Sequence, residues 1–73
     1  MITDNETAKY VSELMLDISG RLDESVAKVN KTCSPAEDSV YLRAVGGILG
    51  KILLEVLNPL YREHPALKPS GME

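Results

Sequence analysis

Thr32-Cys33-Ser34-Pro35-Ala36-Glu37 is the stretch that divides the chain. Ser34 is a natural helix N-cap, and Pro35 suits the first helical position. Glu37 completes a capping box, in which the serine and glutamate side chains satisfy each other's orphan backbone N–H groups. A helix therefore starts at Pro35, and the element before it ends near Lys31. Upstream, Val11, Met15, Ile18, Leu22, Val26 and Val29 recur at spacings of 4, 3, 4, 4 and 3, which traces one face of an α-helix. Glu13, Asp17, Arg21, Glu24 and Lys28 make the opposite, polar face. Asp17–Arg21 and Glu24–Lys28 are acid-then-base pairs one turn apart, each worth about 0.2–0.5 kcal/mol. Thr3 with Glu6 fits a second capping box. The spacing predicts helix one over about 4–31, with Gly20 inside it at a cost of about 1 kcal/mol against Ala.

Helix two is predicted over about 35–58. Tyr41, Leu42, Val45, Leu49, Ile52, Leu53, Val56 and Leu60 cover about half its circumference at ~100° per residue. Arg43, Lys51, Glu55, Asn58 and Arg62 leave only a narrow polar stripe. A short connection between the helices favours an antiparallel hairpin. One helix does not cover so wide an apolar face, and a second copy of the chain is the simplest cover. The expected fold class is all-α: a two-helix hairpin pairing as a homodimeric four-helix bundle. Asn58-Pro59 is expected to end or kink helix two, since the residue before proline is pushed out of the α region. Asn58 would then cap a short turn over 59–63. The hairpin domain spans 1–64, and 65–73, with two prolines and a glycine, reads as an extended tail.

Gly46, Gly47 and Gly50 lie inside helix two and together cost roughly 2–3 kcal/mol in helix propensity. Missing side chains let two backbones approach closely. The crossing they serve is expected at the dimer interface, with a contact inside the hairpin, or a ligand or prosthetic group lying against the bare backbone, as the alternatives. The expected interface residues are Leu42, Val45, Gly46, Leu49, Gly50, Leu53, Val56 and Leu57.

Composition narrows the rest. A 73-residue chain buries only roughly 60% of its unfolded surface, and small folds commonly need disulfides, a metal or oligomerisation. Cys33 is the sole cysteine and His64 the sole histidine, so neither an internal disulfide nor a zinc site with about four ligands is expected. No cofactor is indicated. Phe and Trp are absent, and Tyr10, Tyr41 and Tyr61 are the only aromatics, so a mainly aliphatic core is expected. Net charge is −3 with no basic run, which argues against nucleic-acid binding. The N-terminus is acidic and polar, unlike a signal peptide. The longest apolar window, Ala44 to Leu57, is broken by Lys51 and Glu55, short of the ~20 residues a membrane span needs. A cytoplasmic protein with one reduced thiol is expected.

Motifs that carry chemistry are sparse. Asp38-Ser39-Val40 resembles the Asp-Ser-Leu signature of acyl carrier proteins, whose serine carries phosphopantetheine at a helix start. The resemblance covers those three residues. The carrier fold's long loop and third helix have no counterpart in this length, and Ser34-Pro35 sets Ser39 inside the helix. The plainer reading is a polar residue in the first turns. Asn58-Pro59-Leu60-Tyr61 matches the NPxY pattern of adaptor-domain ligands, but capping already accounts for Asn and Pro there. Cys33 stands beside a helix start, yet His64 lies at the far end of an antiparallel hairpin. A Cys–His pair would need a second chain. Glu13, Asp17 and Glu24 read as a solvated face. The expected function is that of a small non-catalytic interaction or regulatory protein. The alternatives are a carrier modified at Ser39 and a helical subunit of a larger hetero-assembly.

Overall fold

The Ser34 capping box forms as its residues require. Glu37 N–H donates to Ser34 Oγ at 3.2 Å, and Ser34 N–H donates to Glu37 Oε1 at 3.0 Å. The structure, a computed structural model, describes residues 1–69. All regular structure among the described residues is helical. α1 spans Asn5–Thr32 and α2 spans Pro35–Lys51, joined by Cys33 and Ser34. α2 continues without a break into a π-helical segment, Ile52–Leu57, and then into α3, Asn58–Glu63. A 3-10 turn, Pro65–Leu67, comes last.

Helix one starts differently from expectation. Asp4, not Thr3, is the N-cap: its Oδ2 accepts the Thr7 N–H at 2.9 Å and the Thr7 hydroxyl at 2.7 Å. A carboxylate at a helix start also interacts favourably with the helix dipole, which a threonine hydroxyl cannot match. Of the two charge pairs on the polar face, Asp17 and Arg21 lie 3.5 Å apart. Among the described residues Glu24 and Lys28 form no ion pair.

Three side-chain hydrogen bonds set α1 antiparallel to the second helix. Asn30 Nδ2 donates to Asp38 Oδ2 at 3.1 Å beside the loop. Ser25 and Tyr41 share a bond of 2.7 Å further along. Ser12 and Tyr61 share one of 2.6 Å at the base.

Pro59 neither ends the helix nor takes Asn58 as a cap. Asn58 stays helical at φ −61°, ψ −48°, with no side-chain cap. The π segment just before it makes the difference. The Asn58 N–H bonds to the Leu53 carbonyl five residues back, so the ladder is already widened where the proline lacks a donor. A π turn acts as one extra residue in an α-helix and rotates the residues after it by roughly 100°. In uninterrupted α-helix Val56 would point at α1 and Leu57 away from it. With the π segment Leu57 is 3% exposed, and Leu60 and Tyr61 are buried with it.

The core sits at one end. Ala8, Leu57, Leu60 and Tyr61 form it, flanked by Ile2, Val11, Met15, Ile52 and Leu67. Val45 is the remaining buried hydrophobic among the described residues. The segment expected to be an extended tail thus begins with the 3-10 turn, because Leu67 gains more by packing on this cluster than by trailing in water. Residues 70–73 lie outside the described residues. His64 Nε2–H donates to the Ile2 carbonyl at 2.6 Å, and the Met1 amino group pairs with Glu63. The radius of gyration is 14.5 Å, against about 11 Å for a compact chain of this length. The extents are 44 × 20 × 16 Å, the long one being close to the ~42 Å of a 28-residue helix.

Candidate interaction face of the hairpin

The eight residues expected at an interface separate into groups. Val45 and Leu57 are covered by the chain's own packing. Leu49, Gly50 and Val56 are half-buried, while Leu42, Gly46 and Leu53 are exposed. A Cβ added at Gly20, Gly46, Gly47 or Gly50 would meet nothing within 4 Å. The helix-two glycines therefore do not let α1 and α2 approach, which removes the contact inside the hairpin as their explanation.

The hydrogen bonds show which residues share a side. On α1, Ser12, Leu16, Gly20, Asp23, Ala27 and Asn30 succeed one another at steps of 4, 4, 3, 4 and 3, a single line along a helix. On the second helix Asp38, Leu42, Gly46, Leu49 and Leu53 do so at steps of 4, 4, 3 and 4. Asn30 bonds to Asp38 at the loop end and Ser12 to Tyr61 at the base, so the two lines border the same face. Leucines stand at both ends of that face, Leu42 toward the loop and Leu16 with Leu53 toward the base. Gly20 and Gly46 leave the middle open. Leu16 belongs to this face although it lies off the apolar stripe of helix one. Its position four residues after Ser12 and four before Gly20 is the signal, and that signal reads only once the Ser12 side of the helix is known.

Helix two is apolar on its other sides as well. Val40 and Leu54 are 72% and 65% exposed. Val40, Tyr41 and Ala44, with Ala36 and Glu37, surround an open hollow. A helix that is apolar nearly all round is characteristic of a central, covered position.

The groups with chemical potential stay apart. Cys33 is exposed in the loop, and His64 stands at the base beside Ile2, at the opposite end of the molecule. Ser39 is exposed in the second turn of α2. Asp38 keeps one oxygen, Oδ1, buried without a partner, its other oxygen being held by Asn30. Among the described residues no group of three His, Cys, Asp or Glu side chains could hold a metal ion. No helix among them is long and apolar enough to cross a membrane. No known protein family, curated protein or solved structure matches this chain.

Proposed function

We propose that the chain is a small, non-catalytic interaction or regulatory protein of the cytoplasm. It works as a homodimer, two hairpins closing into a four-helix bundle with helix two at the centre. The observation that carries this reading is the open glycine floor between exposed leucines on helix two. Gly46 and Gly50, two helix-weakening residues one turn apart, persist there with nothing in their own chain to meet. Contiguous exposed apolar surface of this kind marks interaction sites. A buried core of five hydrophobic residues is also small support for a free-standing fold.

Sedimentation equilibrium across a concentration range tests it. The wild-type protein is expected to sediment as a dimer. Gly50→Leu, which favours the helix but fills the floor, is expected to weaken association at least tenfold. A wild-type monomer at every concentration would refute the proposal. An unlike protein recovered in fixed proportion would replace the second copy with a hetero-assembly. An added mass on Ser39, seen by native mass spectrometry of protein from its own cells, would replace interaction with carrier chemistry.

A further inference from the structure

Folded about its middle, the face bordered by the two lines sets leucines against a leucine, a glycine and an alanine. Along helix two, Leu42 and Leu53 lie equally far from the midpoint between Gly47 and Ile48, and so do Gly46 and Leu49. Along α1, Leu16 and Ala27 lie equally far from the midpoint between Arg21 and Leu22, and so do Gly20 and Asp23. Both midpoints sit roughly nine residues from the Asn30–Asp38 bond, so at 1.5 Å per residue they are nearly level across the hairpin. A two-fold axis lying across a face brings each residue against the one equally far on the other side of the midpoint, so the face must be self-complementary, and along helix two leucine falls opposite leucine or glycine.

We infer that two hairpins meet antiparallel on this face, across a two-fold axis that passes over both midpoints. This rests on the proposed dimer and specifies its geometry. Leu42 of each copy meets Leu53 of the other, and each Leu49 enters the space left by the other's Gly46. Leu16 meets Ala27 of the second copy, and Asp23 meets its Gly20. The exposed surface fits one such contact. The chain exposes 5296 Å², whereas a compact monomer of its mass exposes about 4,450 Å². The surplus is close to the ~800 Å² that each partner covers in a standard interface. Along helix two the face carries no charge between Leu42 and Leu53, while along α1 it carries Asp23, whose carboxylate faces the other copy's Gly20 and keeps its water at the edge of the contact.

Disulfide trapping in a Cys33→Ser background tests the arrangement. Leu42→Cys and Leu53→Cys are prepared separately, checked by circular dichroism, and oxidised alone and as a mixture. The mixture is expected to yield covalent dimer at least tenfold more than either variant alone. Leu16→Cys mixed with Ala27→Cys is expected to behave the same way, which keeps the test decisive if one pair disturbs folding. Self-linking of Leu42→Cys would mean parallel pairing and overturn the inference while leaving the dimer intact. A dimer that neither pair traps would place the interface on another face and overturn it equally. A Cys33→Ser parent that sediments as a monomer would overturn the inference and the dimer together.

Discussion

Removing the Tyr61 hydroxyl leaves Ser12 Oγ buried without a partner, since both residues are at most 5% exposed. Tyr61→Phe is therefore expected to lower unfolding free energy by about 1–2 kcal/mol. Urea denaturation measures this. Ser12→Ala combined with Tyr61→Phe should cost less than the two single changes added, because nothing is then left unsatisfied. At the surface, two cap carboxylates contribute to the acid response. The Thr7 hydroxyl and then the Thr7 N–H hold Asp4 below its ordinary 3.8. The Ser34 N–H and then its hydroxyl hold Glu37 below 4.5. A depressed folded-state pKa means the unfolded chain binds the proton more readily. Each cap thus stabilises fully above those ordinary values and loses its contribution as pH falls through the folded ones. Asp4→Asn with Glu37→Gln keeps acceptors in place, so its melting temperature should vary less with pH below 4.5 than the wild type's. An unchanged acid limb would place the titration elsewhere. The Ser34 box was readable because all its partners lie within four residues. Ser12 was not, because its partner is 49 residues away and a serine among apolar neighbours does not show which side of a helix is covered.

The π segment is the element that periodicity alone misplaces. A uniform 100° step puts Val56 on the α1 side, whereas the buried residue is Leu57. The apolar run is nearly continuous from Ile52 to Leu57, so it offers an apolar residue at either phase. Only contact with α1 chooses between them. If the segment behaves as one inserted residue, deleting exposed Glu55 should return it to α-helix and leave Leu57, Leu60 and Tyr61 facing α1. Circular dichroism melts are expected to show a cooperative transition for this deletion. Deleting exposed Arg21 from the middle of α1 should abolish the transition, since it rotates Ala8 and Ser12 by roughly 100° against the rest of their helix. Equal damage from both deletions would mean that the widened turn has a role of its own. The two long helices themselves were clear in advance, because 28 and 17 residues give the apolar period several repeats.

At the scale of the molecule, Gly47 separates helix propensity from assembly. It lies off the face bordered by Leu42 and Leu53, and nothing in the chain meets an added Cβ there. Gly47→Ala should raise unfolding free energy by roughly 0.5–1 kcal/mol and leave sedimentation unaltered; a loss of association would put Gly47 in the contact. The all-helical hairpin was legible from one capping box and one period, but the clustering of the core at the base was not. That clustering depends on Ile2, Ala8 and Leu67 reaching the end of helix two, and no local pattern announces contacts across the whole chain. It also governs how the chain finds its fold. A hairpin zipping from its two-residue turn passes Asn30–Asp38, Ser25–Tyr41 and Val45 before it reaches a substantial buried cluster. The larger reward comes only after about 50 residues of chain are closed, so the entropy of closure is met early and the compensating burial arrives late. Folding is accordingly slower and more nearly all-or-none than two short-range helices would suggest, and the open ends of the chain act as its latch.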